Sequence, residues 1–427
     1  MQQACVNAPL EHTLVAKAAY DARWQRILDC VALKQPDSMP VILYASFWLA
    51  KYGGISYREL MHNYEETKEI CERAVLEFEP DASSNLVSFT AMGKSMEAMG
   101  LKTLRWPGNG VGDNQPYQYV DREFMSATDY DEFIFDPTGF YLKKFLPQVA
   151  DVFKGFAHFP GFPGLSGLRV VSGIRPFAKP EVRQSLLRLM DAAQEVERFH
   201  KCSLEFADDI RNRGYPLIAG TTAGNPYDAV ADYWRGAINI MKDLFRHKEK
   251  ILASMDKVSG YMTDQMIAAA KASGNPIVMI TTHWAGDAFM SQKQFETFWW
   301  APFRKQMVAI IDAGLIPMVL WEHDCRKRLA TIADVPPGKC IYWFERTENL
   351  IRAHEVMGNK VALRGGVEAS TMATGSPEDV DSAVRSIVER VWNQGGNLML
   401  DCGIGIPDET PVANVRAMFD AARKYAG

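Results

Sequence analysis

"KVALRGGVEASTMATGSPEDVDSAVRSIVERVWNQGGNLMLDCGIGIP", residues 360–407, decides the fold. It opens with an apolar run too short for a helix of its own, "KVALRGGV", and closes with a second, "NLMLDC". Between them lies a helical pattern with Ser376 as N-cap, Pro377 at the first helical position, and Gly395 and Gly396 just past its end. Those are good start and stop signals. Continuous apolar runs of this length are what parallel strands buried on both faces look like. The stretch reads as a strand-helix-strand unit.

The same rhythm extends backwards through "CIYWFER" from Cys340, "IPMVLWEHD" from Ile316, "PIVMITTHW" from Pro276 and "PLIAGTTAG" from Pro216. Helical patterns such as "SQKQFETFWWAPFRKQMVAIIDAG" separate the runs. Two earlier candidates, "MPVILYASF" from Met39 and "SNLVSFTAMG" from Ser84, bring the tally to eight. Eight strand-helix units predict an α/β fold, a single (β/α)8 TIM-barrel domain over residues 1–427. A doubly wound open sheet is the alternative. Against it, no run is followed by G-x-G-x-x-G, and "GNGVGDNQ" from Gly108 does not follow an apolar strand.

From about Leu101 to Tyr215 the rhythm lapses into Gly-, Pro- and aromatic-rich sequence such as "RWPGNGVGDNQPYQYVDREFM" and "FKGFAHFPGFPGLSGL". This predicts an inserted cap. Its aromatics either pack as core over the barrel rim or form one wall of an apolar substrate pocket.

Lys plus Arg is 47 against 52 Asp plus Glu, a net charge of -5. No global basic field would draw in nucleic acid or an anionic membrane. The N-terminus lacks a basic region followed by an apolar stretch, and no run approaches the ~20 apolar residues of a membrane span. A cytoplasmic location is expected. The seven cysteines are odd in number and scattered, which argues against a disulfide framework. Most should be reduced, buried small hydrophobes.

In a barrel the strand C-termini form the active face. The polar residues there are Thr221, Thr222 and Asn225; Thr282, His283 and Asp287; Glu322, His323, Asp324 and Cys325; Glu345 and Arg346; Arg364 and Glu368; and Asp401 and Cys402. His323 and Cys325 are spaced H-x-C, and alternate side chains of an extended segment share a face. With Cys402 at the matching end of the last strand they would leave one open position on a tetrahedral zinc, as catalytic sites do. The competing reading is coincidence, with both cysteines in the core. Glu322 is a fourth ligand or a partner of the ligands, unless strand parity turns it to the opposite face from His323. His283 is a substrate contact or proton relay, or a hydrogen-bonded structural histidine. Arg364 holds an anionic part of the substrate or pairs with Glu368. Asn225 and Asp287 complete the candidate substrate contacts.

"NLMLDCGIGIPDETPVANVRAMFDAARKYAG" resembles the C-terminal signature of the uroporphyrinogen decarboxylase superfamily, in which a last strand runs into G-C-G-I-P, a T-P-x-x-N turn and an amphipathic helix. "KVALRGGVEASTMATGSPEDV" is similar to the preceding family segment, and "VILYASFWLAKYGGISYREL" to the N-terminal one. The resemblance is strongest after Asn275. Within the superfamily, His323, Cys325 and Cys402 match the ligand positions of the zinc-dependent, corrinoid-linked methyltransferases, whereas the decarboxylase's arginine-rich N-terminal signature is missing. Three departures stand out: Arg326 follows Cys325 where the family has glycine, Glu368 stands in a segment where it has Asp-Pro, and the chain is longer than the thiol methyltransferases.

The resemblance implies transfer of a methyl group between a small substrate and a corrinoid's cobalt. The substrate is a thiol acceptor or a methylated O, S or N donor, with methoxyaromatics among the donors. Zinc would deprotonate the thiol or act as Lewis acid on the donor. No segment matches the corrinoid-carrying signature, so the corrinoid is expected on a separate partner protein. Self-association is left open. The rival readings are a zinc-free decarboxylase of the superfamily and a non-catalytic zinc-binding accessory subunit.

Overall fold

Hydrogen bonding in the computed structural model, which describes residues 10–86, 92–160 and 167–427, orders the strands as the apolar runs predict. Two short strands come first, β1 (Ile42–Leu43) and β2 (Ala82–Ser83). Six more follow: β3 (Thr221–Ala223), β4 (Ile277–Thr282), β5 (Ile316–Trp321), β6 (Ile341–Phe344), β7 (Ala362–Val367) and β8 (Leu398–Cys402). β3 to β8 form one parallel sheet in chain order, without the reversal of a doubly wound sheet. β1 and β2 pair with each other in parallel. Single parallel bridges tie the pair to the large sheet, Val41 to Leu400, Ala45 to Ile406 and Ser83 to Leu217. The ladder of eight expected from the sequence is thus hydrogen-bonded as six plus two. At two residues each, β1 and β2 are too short for continuous pairing. Most of the expected strand from Ser84 lies on 87–91, outside the described residues.

Strand parity sorts the side chains. Ile277, Met279, Met318, Leu320, Ile341, Trp343, Ala362 and Met399 share one cluster with Ile42 and Ala82 on the inner face. Their alternates, such as Val278, Val319, Tyr342, Leu363 and Leu400, belong to the larger cluster shared with the helices. Helix α1 (Leu10–Val31) supplies Ile27, Cys30 and Val31 to the inner cluster. The Cys30 thiol donates to the carbonyl of Leu398, the first residue of β8, so α1 stoppers the N-terminal end of the strands.

The inner face also holds a buried ion pair. Arg364 of β7 donates through Nε and Nη2 to Asp401 Oδ2 of β8, at 2.9 and 2.6 Å, and its guanidinium lies 3.6 Å from the centre of the Trp343 ring. Burial nevertheless pushes the Asp401 carboxyl up to about 6. The next residues, Gly365 and Gly366, have φ of +124° and +146°. A Cβ on Gly365 would meet the Phe344 carbonyl oxygen at 2.6 Å, so the R-G-G-V strand needs glycine there.

The region from 101 to 215 has two parts. Residues 101–160 carry a small sheet of Leu104–Pro107, Gly110–Val111 and Gln118–Tyr119, followed by short helical turns. Residues Pro180–Asn212 form a 33-residue helix, α2, that leads towards β3 and buries Phe199, Phe206 and Ile210. Among the described residues no helix is long and apolar enough to cross a membrane.

Candidate functional site

Beyond β3 the chain turns at Asn225, which caps the short helix Pro226–Val230: its Oδ1 accepts from the Asp228 amide at 2.9 Å. Its Nδ2 donates to Asp228 Oδ2 at 2.6 Å and to the Thr281 carbonyl of β4 at 3.2 Å. Asp228 is further fixed by the His283 amide, 2.6 Å from Oδ2, and the Trp299 indole, 2.9 Å from Oδ1. Burial and the neighbouring Asp232 raise its pKa. Four residues on, and so on the same helical face, Asp232 accepts from the Trp284 indole at 2.6 Å through Oδ1. Its Oδ2 lies 2.5 Å from His283 Nδ1. The helix widens to a π-type turn over Ala231–Arg235, a local geometry frequent at functional sites.

This leaves His283 Nε2 facing the mouth, 4.0 Å from Glu322 Oε1. Burial opposes charge on His283. The bond from Asp232 and the charges of Asp228 and Glu322 outweigh it, lifting the imidazole to about 9. Glu322 is pushed up by burial, drawn back by His283 and raised again by Asp228, Glu345 and Asp232, reaching about 7. At neutral pH the imidazole carries its proton and Glu322 shares one. Tyr119 of the cap feels the charges of both Asp232 and Glu322, and Tyr233 those of Tyr119, Asp232 and Asp228. Asp228, Asp232 and Glu322 thus surround one imidazolium at the C-terminal ends of β3 to β5, the mouth of the site.

The expected zinc ligands do not converge. β5 ends at Trp321, and His323 takes a left-handed backbone, φ +65°, held by its amide on Glu345 Oε2 at 2.5 Å and by Asn349 Nδ2 on its carbonyl at 2.8 Å. The rule that alternate residues share a face therefore stops short of the H-x-C. The His323 ring sits edge-on to Phe289 with centres 5.1 Å apart. Cys325 is fully buried, and Cys402 lies with its Sγ 3.7 Å from Met418 Sδ of the last helix (Val412–Ala426), on the outer side of β8. Burial drives both thiols well above the usual range. Where the family signature reads C-G-I-P, this chain reads C-G-I-G-I-P. Among the described residues no three His, Cys, Asp or Glu side chains group as a metal site. The residues present do not fit the zinc expected of them, and no chemistry is routed through it.

The other expected contacts are placed as follows. Glu322 and His283 come together in the mouth, Oε1 and Nε2 4.0 Å apart. Asn225 is fully buried and positions Asp228. Arg364 spends two donors on Asp401 and does not pair with Glu368, whose Oε1 accepts from the Thr347 amide. Asp287 ties loops together, accepting from the Lys327 amide and lying 3.3 Å from Arg328 Nε. Arg326 folds back onto Asp324 through Nε and Nη2, away from the mouth. Sequence reading missed Asp228 and Asp232. Their signal was present in "GNPYDAVADYW": an Asn-Pro helix start at a strand end, followed by two aspartates four apart.

A family model described as uroporphyrinogen decarboxylase (URO-D) matches residues 167–425, more than half of the chain. The chain belongs to the uroporphyrinogen decarboxylase family. It is 26% identical over 289 residues to a uroporphyrinogen decarboxylase of Mannheimia succiniciproducens, covering 66% of this chain and 76% of that one. A uroporphyrinogen decarboxylase of Coxiella burnetii is 22% identical over 312 residues, 71% of this chain and 84% of its own. Among solved structures, a methyltransferase from Methanosarcina mazei superposes with a TM-score of 0.62 at 16% identity, covering 94% of this chain and 98% of that one. That likeness establishes the shared α/β fold.

Proposed function

We propose that this member of the uroporphyrinogen decarboxylase family is a methyltransferase. It moves a methyl group from a methylated oxygen donor to the cobalt of a corrinoid on a separate protein, with His283 as proton donor to the leaving group. The observation that carries this is His283 itself, pinned at Nδ1 by Asp232 and presenting Nε2 to the mouth. The fold shared with the Methanosarcina mazei methyltransferase over nearly the whole chain supports it. We also propose that the eight strands close as a (β/α)8 barrel, the isolated bridges completing the ring.

The reduced corrinoid supplies the nucleophile that takes the methyl group. The chain's part is to manage the oxygen left behind. As the methyl–oxygen bond breaks, the oxygen keeps the electron pair and takes the proton from His283 Nε2. A phenolic leaving group, with a pKa of about 10, is well matched to a donor near 9, the condition under which general acids work best. Asp232 then stabilises the imidazolium between turnovers, and Glu322, near 7, resupplies the proton.

Decarboxylation of a carboxylate-bearing ring fits less well. The mouth sets Asp228, Asp232, Glu322 and Glu345 against one imidazolium, while Arg326, Arg328 and Arg364 are bonded elsewhere. The test is to mix protein, reduced cobalamin and a methoxyarene and follow phenol release. Wild type should demethylate, and His283→Asn should lose ~100- to 10,000-fold. Carbon dioxide release from uroporphyrinogen without methyl transfer, or an undiminished His283→Asn, would sink the reading.

A further inference from the structure

Between the cap and helix α3 (Lys248–Ser273) lies a cavity of about 650 Å³. Six aromatic side chains line it: Phe133, Tyr141, Phe145, Tyr233, Trp234 and Tyr261. They are arranged as walls: Tyr141 stacks on Phe145 at 5.2 Å, Phe133 tilts on Trp234 at 4.6 Å, and Phe145 meets Trp234 edge-on at 6.3 Å. Val258 and Met262 of α3 face them from the other side, and Gly224, at the end of β3, leaves room that a side chain would fill against the Met262 methyl. No Asp, Glu, Lys, Arg or His is among the lining residues; the polar groups are hydroxyls, the Trp234 indole and Gln265.

We infer that this cavity is a binding site for an uncharged aromatic ring. Its volume lies within the ~300–1,000 Å³ of small-molecule sites, and such sites are largely apolar with a few orienting polar groups. A charged ligand would be stripped of water with no counter-charge to meet it. Flat rings gain edge-to-face and offset contacts from aromatic walls that saturated rings do not. Tyr233 lines the cavity and directly follows Asp232, the partner of His283, in the chain; His283 itself is not among the lining residues. That the ring belongs to the methyl donor rests on the function proposed above; the cavity's preference for a neutral ring does not.

The test is equilibrium binding to the full chain, by calorimetry and tryptophan fluorescence, of 1,2-dimethoxybenzene, its cyclohexane counterpart and 3,4-dimethoxybenzoate. The neutral arene should bind at least ten times more tightly than either analogue. Met262→Trp and, from the cap side, Leu142→Trp fill the cavity from opposite walls, and each should weaken arene binding at least tenfold while far-ultraviolet dichroism stays native. Equal binding of the carboxylate or the saturated ring, or full affinity in a folded filled variant, overturns the inference. Tight arene binding without methyl transfer by wild type would leave the cavity assignment standing and remove the methyltransferase reading; turnover without arene selectivity would do the reverse.

Discussion

Replacing Asp232 by asparagine should move the alkaline limb of methyl transfer to lower pH. In the wild type, burial works against the His283 proton, and the bond from Asp232 is the largest influence retaining it, with Asp228 and Glu322 adding to it. The balance puts the imidazole at about 9 against an ordinary 6.5. At pH 8 a donor titrating near 9 is roughly nine-tenths protonated, and one titrating at 6.5 about 3%, so complete loss of the shift would cost ~30-fold in rate at that pH. Because Asp228 and Glu322 remain, a loss of about 5- to 30-fold at pH 8, shrinking towards pH 6, is expected. The assay is the pH profile of phenol release for both proteins, with an NMR titration of His283 alongside. A raised histidine pKa also favours the folded state below pH 6.5, an advantage lost as pH rises through 9. With the side chain 36% exposed, solvent screens much of that contribution. A limb that stays put in Asp232→Asn, or a rate loss equal at all pH values, would refute the proton-donor argument.

Asp401→Asn strands the Arg364 guanidinium in a fully buried position, and urea unfolding should show a loss of ~3–5 kcal/mol. The paired replacement Arg364→Met with Asp401→Leu should recover most of it; if the single change costs under ~1 kcal/mol, the pair is not what holds the inner face. Cys402→Ser should leave the metal content of the purified protein unchanged, measured by elemental analysis beside His323→Ala. Stoichiometric zinc in the wild type that vanishes in both variants would show that the strand ends rearrange into the three-ligand site.

The part of the fold legible in the sequence was the part built by burial on two faces. From Pro276 onward each strand is an apolar run long enough to stand out; β3 is only the part-exposed Thr221–Ala223, yet all six pair in the order read. Before that, the run read from Met39 pairs over only Ile42–Leu43, and β2, Ala82–Ser83, ends just ahead of the run read from Ser84. Helix α2 was submerged in a region judged by its Gly- and Pro-rich first half, although "PEVRQSLLRLMDAAQEVERF" begins with proline at the first helical position. At the site, His283 and Glu322 stood out in the sequence because each directly follows a strand, and the structure sets His283 Nε2 4.0 Å from Glu322 Oε1. The metal triad was not assembled, because extending strand parity through His323 assumed a backbone that turns left-handed there, and residue-type matching ignored the depth of Cys402. Asp228 and Asp232 escaped notice because their meaning depends on the neighbouring strand's histidine, a contact 51 residues away for Asp232 that no local pattern announces.

The stopper that α1 places against the N-terminal ends of the strands carries a consequence for traffic. With that end packed by α1, His283 and Glu322 are approached from the C-terminal ends of the strands. In the function proposed above, a small donor and a bulky cofactor-bearing protein would compete for that approach. Whichever occupies the inner position must arrive before the larger visitor docks and can depart only after it has gone. Steady-state kinetics should therefore be ordered, with the donor binding first, and an excess of the macromolecular partner should slow turnover by trapping the demethylated product beneath it.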